Sequence, residues 1–139
     1  MTDPVTYALV PIGFVRSGLT TRAEAPRQGR EGAPEAWLEI DPAYEEALDG
    51  LRPGAEVLLL TWLHQGARDV LKVRPRDDPG NPLTGVFATR SPDRPNPVGL
   101  HRVTVLDVAA GKGLLVRPLE AVDGTPVVDI KPVLDSAEG

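Results

Sequence analysis

At 139 residues, with 41% hydrophobic and 25% charged residues and a formal net charge of −5, the chain has the length for one domain with a modest core of its own. The absence of cysteine excludes disulfides, thiolate metal sites and cysteine nucleophiles, and fits a reducing, cytoplasmic setting. The acidic balance counts against a purely electrostatic nucleic-acid binder, and no run approaches the roughly 20 apolar residues of a membrane span or has the form of a secretory leader.

Thr6 to Arg16 reads as a first strand, rich in β-formers and interrupted by Pro11 and Gly13, which places it at an edge or a bulge. From Ser17 to Ala36 the composition turns to Thr, Arg, Glu, Gly and Pro with no apolar period, the signature of a long loop, and loops of this length in compact domains usually carry function or are disordered. Trp37 to Ile40 is a short strand. Asp41-Pro42 then starts a short helix over 43–48, with a carboxylate cap and a proline in the first turn, and Asp49-Gly50 stops it. Ala55 to Leu63 is apolar at nearly every position, so it is expected to be the central strand, buried on both faces. His64-Gln65 follows where that strand leaves the core, a position open to either a structural or a chemical role.

Val70 to Arg74 is a further strand, and Pro75 to Asn81 a charged turn whose adjacent Asp77 and Asp78 read as solvated neighbours without a catalytic role. Gly85 to Leu100 is the densest motif. An apolar strand over Gly85–Ala88 is expected to enter a polar loop in which Pro92, Pro95 and Pro97 fix the backbone and hold Ser91, Arg94 and Asn96 in extended geometry. Such a loop is ordered before it binds anything, so its guanidiniums and amide can meet a ligand at little further entropic cost. Leu100 to Val108 and Leu114 to Arg117 then form a hairpin about Ala109–Gly113. The Gly111 and Gly113 pair lies in a hairpin with strand on either side, so it is not a nucleotide fingerprint, and with a single short helix in the chain a doubly wound fold is disfavoured. In the tail, Asp123-Gly124 is a turn, and Asp129 and Lys131 share one face of a strand, where an exposed ion pair is the ordinary outcome. Many short strands separated by glycine and proline imply a mainly β domain, an antiparallel barrel or sandwich.

Four segments, in order, carry a resemblance: Ala25-Pro26-Arg27-Gln28-Gly29, the apolar strand ending at His64, GVFATRSPDRPNPVGL over 85–100, and DGTPVVDIKP over 123–132. Together they resemble the TsaA-like, or TrmO, family of S-adenosylmethionine-dependent tRNA methyltransferases, over nearly the whole chain. The resemblance implies one β-barrel-like domain over 1–139 without the additional C-terminal domain that many bacterial members carry. It further implies S-adenosylmethionine held by Pro26, Arg27, Gln28, His64, Gln65, Arg90, Leu100, Leu119 and Glu120, and substrate held by Arg94 and Asn96. Methyl transfer to the threonylcarbamoyl-adenosine beside the tRNA anticodon follows from it, as does a homodimer; Asp129 and Lys131 are the candidates for proton acceptance and charge support. Two other outcomes stay open: the same fold acting on a small metabolite, or a cofactor-binding module without turnover. Val133 stands where the family has tyrosine, which bears on the acceptor. With two histidines and no Asp/Glu grouping at ligand spacing, no metal site is expected.

Overall fold

The computed structural model describes residues 4–18 and 34–134. Six strands, β1 (Gly13–Arg16), β2 (Ala36–Ile40), β3 (Glu56–Trp62), β6 (Val98–Ala109), β7 (Gly113–Arg117) and β8 (Pro126–Pro132), close into an antiparallel barrel in the order β1-β2-β7-β6-β3-β8. β4 (Lys72–Val73) and β5 (Thr84–Gly85) pair with each other outside it, on the long excursion between β3 and β6. Closure satisfies every edge, the main problem of a small all-β domain. The alternation of residues along each strand fills the inside: Val15, Leu38, Val57, Leu59, Val103, Val105, Leu114, Val116 and Val127 are all essentially inaccessible.

Several expected elements differ. The first strand is only Gly13–Arg16, and it is no edge, being paired with β2 on one side and β8 on the other. Upstream of it, with Pro11 as a break, Val5, Tyr7, Leu9 and Val10 find no ladder and are exposed. The helix after Asp41 is a seven-residue 3-10 segment, Pro42–Leu48, capped as expected by the Asp41 carboxylate accepting from the Ala43 N–H at 2.9 Å and ended by Gly50 at φ 98°. β3 is central in pairing, flanked by β6 and β8, but only Val57, Leu59 and Thr61 point into the barrel. Its other face, Leu58, Leu60 and Trp62, is half covered on the outer wall, because a barrel strand has one interior side however apolar its sequence. Val70 to Arg74 contributes only the two residues of β4. The Gly85–Ala88 strand is absent: pairing stops at Gly85, Val86–Ala88 is a 3-10 turn closed by Thr89 N–H on the Val86 carbonyl at 3.0 Å, and Phe87 is exposed. Among the described residues no helix is long and apolar enough to cross a membrane.

One register shift places chemistry on the wall. β8 follows β3 from Pro132 to Asp129, then slips at Leu60/Thr61, so that Thr61 pairs with Val127. Val128 is the extra residue of this bulge.

Candidate active site on the barrel wall

Strand register brings two of the expected site residues into one row. On the outer face Leu60 of β3 is paired with Leu100 of β6 on one side and with Asp129 of β8 on the other. Leu100 and Asp129 are thus two strand spacings apart, about 10 Å, on one wall. The next row is Arg102, Leu58 and Lys131. Lys131 Nζ lies 3.5 Å from Asp129 Oδ2, with both side chains at least half exposed; Asp129 Oδ1 accepts from the Ile130 N–H at 2.9 Å. Beside Asp129 opens a groove of about 440 Å³ between β8 and the 3-10 segment, walled by Ile12, Ile40, Tyr44, Leu51 and Pro132, within the size range of small-ligand sites.

The loop that leaves β3 is tied at several points to the proline-braced loop of the 85–100 motif, the signature loop. His64 and Gln65 are exposed at its start. Leu63 N–H donates to the Pro97 carbonyl at 2.7 Å, Ala67 N–H to Asp93 Oδ1 at 2.9 Å, and Arg94 N–H to the Ala67 carbonyl at 2.9 Å. Gly66 sits so close to the other loop that a Cβ there would come within 2.3 Å of the Pro92 carbonyl, so only glycine fits. The expected substrate residues both bond within this assembly: the Arg94 guanidinium donates to the Val86 and Thr89 carbonyls, and Asn96 Oδ1 accepts from Arg68 Nη2 at 2.9 Å. Arg90, by contrast, is exposed, and among the described residues it makes no hydrogen bond or ion pair.

Of the expected cofactor residues, Leu119 is fully buried in the barrel core and its backbone N–H donates to the Pro34 carbonyl at 3.0 Å, so its side chain is not open to cover a ligand. Glu120 is placed differently: Oε1 lies 2.5 Å from His101 Nδ1, and the carboxylate is 17% exposed. Pro26, Arg27 and Gln28 lie outside the described residues. Among the described residues no three His, Asp or Glu side chains gather as a metal centre would require.

This architecture and these motifs find a match: residues 14–138 fit the tRNA-methyltransferase O N-terminal domain. The chain belongs to the TrmO family. A relative from Methanothermobacter thermautotrophicus, described as a "Probable S-adenosyl-L-methionine-binding protein", is 46% identical over 128 residues, covering 92% of this chain and 90% of its own. An Archaeoglobus fulgidus protein described as an S-adenosyl-L-methionine-binding protein is 43% identical, covering 88% of this chain and 86% of its own. The crystal structure of TrmO from Pseudomonas aeruginosa superposes with a TM-score of 0.77 at 34% identity, covering 97% of this chain and 59% of that one. The chain therefore spans less than two thirds of that TrmO.

Three side chains and one glycine of this TrmO-family domain have no counterpart in the sequence reading. Arg68 donates to the Pro95 carbonyl at 2.7 Å as well as to Asn96, while its guanidinium carbon lies 5.2 Å from the Trp62 ring centroid; it is a clamp on the signature loop. Thr61 and His101 lie inside the barrel, with Thr61 Oγ1 2.8 Å from His101 Nε2. Both fall on the apolar face of their strands, and a threonine or histidine at an inward position was the one available signal of a polar contact in the core. Gly99 belongs with them: a Cβ there would lie 2.4 Å from Thr61 Oγ1 and 2.8 Å from His101 Nε2.

Proposed function

We propose that this domain transfers the methyl group of S-adenosylmethionine to a nitrogen of tRNA, the exocyclic amine of threonylcarbamoyl-adenosine beside the anticodon. The observation that carries the reading is the outer-wall row Leu100, Leu60, Asp129, which sets an expected cofactor contact and a carboxylate on one surface with a groove adjoining. The residues present fit such a cofactor: exposed Leu100 offers apolar cover, Arg90 an uncommitted cation for a carboxylate, His64 and Gln65 polar contacts, and Glu120 an acceptor for hydroxyl or ammonium protons. Pro26, Arg27 and Gln28 complete the proposed cofactor set.

When bound, the cofactor supplies an electrophilic methyl on a sulfonium sulfur. The wall and groove align the acceptor nitrogen and limit water, and proximity of this kind can be worth about 7 kcal/mol or more. Asp129 accepts the proton that the nitrogen gives up, and Lys131 beside it supports its charge or holds an anionic group of the substrate. Arg94 and Asn96 act by holding the signature loop in the shape that the substrate meets, with their remaining polar atoms available to it.

The charge pattern is compatible with RNA despite the overall −5: residues 67–97 carry six basic residues (Arg68, Lys72, Arg74, Arg76, Arg90 and Arg94) against four acidic ones (Asp69, Asp77, Asp78 and Asp93). A pair of these domains would enlarge that surface, and the exposed apolar residues before β1, with Phe14 on its outer face, are the patch we assign to dimer contact. Val133 favours a second reading, a small-metabolite acceptor, since its backbone continues the β8 pairing to Glu56 but it has no ring to stack on a base. Methyl-labelled S-adenosylmethionine incubated with purified protein and unmodified-strain tRNA separates the two. Label in tRNA, lost by about 100-fold in rate with Asp129→Asn while cofactor affinity is kept, is the expected result; label confined to small molecules would refute the tRNA reading.

A further inference from the structure

Inside the end of the barrel from which β3 emerges, Thr61, His101 and Glu120 form a hydroxyl–imidazole–carboxylate chain, with links of 2.8 and 2.5 Å. The connectivity is that of a hydrolytic triad, in which the hydroxyl would attack. Burial decides otherwise: Thr61 is 0% exposed and His101 6%, so no carbonyl can reach Oγ1. The accessible end is the opposite one. Glu120 is the only member with appreciable exposure, 17% of its side chain, and its second oxygen, Oε2, has no partner among the described residues.

We infer that Thr61 and His101 are positioning residues that aim the Glu120 carboxylate at the cofactor, an inference that rests on the reading of Glu120 as a cofactor contact. A carboxylate can only accept, so the proton between the two sits on Nδ1; in the neutral imidazole Nε2 then accepts from the Thr61 hydroxyl, which leaves one tautomer and one ring orientation. The β-branched Thr61 is stiff about χ1 and anchored in the β3 ladder, and Gly99 leaves just the space that its hydroxyl and the ring occupy. Glu120 itself lies in the irregular link between β7 and β8, where no ladder fixes its side chain. The rigidity of the barrel interior is therefore delivered through the imidazole to a carboxylate on a loop, with Oε1 occupied and Oε2 presented outward to a hydroxyl or ammonium of the ligand.

The test compares variants that keep different links. The asparagine amide of His101→Asn falls near the place of Nδ1 and can still donate to Glu120; that of His101→Gln reaches the place of Nε2, so it can meet Thr61 but not Glu120. Binding of S-adenosylhomocysteine by calorimetry should weaken about tenfold in His101→Gln, the order expected for a lost buried partner, and stay within about threefold of the parent in His101→Asn. On a Glu120→Gln background, itself weakened, the His101→Gln change should add less than about twofold, because coupled positions are not additive. Equal losses in the two His101 variants, or full additivity with Glu120→Gln, would show that His101 only supports the fold and would overturn the inference. Should His101→Gln melt below the assay temperature, Thr61→Ser against Thr61→Val asks the same question one link further in: serine keeps the bond and the affinity, valine loses both, and equal affinity in the two overturns the inference. A parent protein that binds no S-adenosylhomocysteine is a separate failure, one that removes the cofactor reading beneath it.

Discussion

Replacing Gly99 with alanine adds one methyl at a crowded point inside the barrel. Its Cβ would stand 2.4 Å from Thr61 Oγ1, 2.8 Å from His101 Nε2 and 3.0 Å from Leu63 Cδ2, so at least one neighbour must retreat by about 1 Å in a core that packs as densely as a crystal. Thr61 at 0% and His101 at 6% exposure have nowhere to go without breaking their mutual hydrogen bond. Overpacking costs about 1–3 kcal/mol and a buried polar group left unpaired about 1–3 more, which gives an expected loss of about 2–6 kcal/mol. Equilibrium urea unfolding should show it as a lower midpoint at unchanged slope, with a fall in Tm of about 10 °C. Gly85→Ala is the control: nothing lies within 4 Å of its Cβ and its φ of −58° suits any residue, so it should change stability by less than about 0.5 kcal/mol. On a Thr61→Ala background, where the closest of the three contacts is gone and no Thr61–His101 bond is left to break, the Gly99→Ala cost should be smaller than in the parent. A Gly99→Ala protein as stable as the Gly85→Ala control would refute the packing argument.

Arg68→Lys keeps the charge but loses the fork that reaches Pro95 and Asn96 together and the flat contact with Trp62; about 1–2 kcal/mol of stability and faster proteolysis of the 85–100 loop are expected, and unchanged cleavage would count against the clamp. Arg90→Ala removes a cation with no partner among the described residues, so unfolding should be unaffected while S-adenosylmethionine binding weakens by about 1–3 kcal/mol; loss of stability without loss of binding would place Arg90 in the fold instead. Light scattering at micromolar protein should report a dimer, and Tyr7→Asp should shift it towards monomer, Tyr7 being 89% exposed in the described chain; a monomeric parent would remove the dimer from the proposal.

What could be read from the residues followed the strength of local signals. The run Leu100 to Val108 was legible as a strand, the Asp41-Pro42 and Asp49-Gly50 pairs bounded the helical segment, and period two put Asp129 and Lys131 on a common face. Closure was less visible, because whether a strand such as Gly13–Arg16 lies at an edge depends on what pairs with it from over a hundred residues away. Apolar composition misled twice: Leu58 and Leu60 look like core yet line the outer wall, and Val86-Phe87-Ala88 looks like a strand yet turns, since the Arg94 guanidinium and the Thr89 hydroxyl engage the Val86 carbonyl. Proline spacing announced a rigid loop without telling which side chains hold it, so Arg68 passed as one arginine among twelve. Gly99 carries no local signal of its role; its reason is a hydroxyl and an imidazole that only the folded barrel brings to it.

The slip in β8 at Val128 bears on how such a wall can arise at all. In an uninterrupted strand the inward phase set by Val127 would recur at Asp129 and Lys131, sending two charges into the barrel and Ile130 to the surface. One additional residue inverts that parity beyond the bulge, so Ile130 packs on the core and the carboxylate faces outward. Straightening the bulge, with Val128 taken into the ladder, would thus be a frame change in three dimensions: every residue downstream would keep its identity and exchange its side, and a barrel with the same composition would have charges in its interior and a bare wall. In this fold the capacity for chemistry on β8 hangs on one unpaired residue as much as on the charged residues written after it.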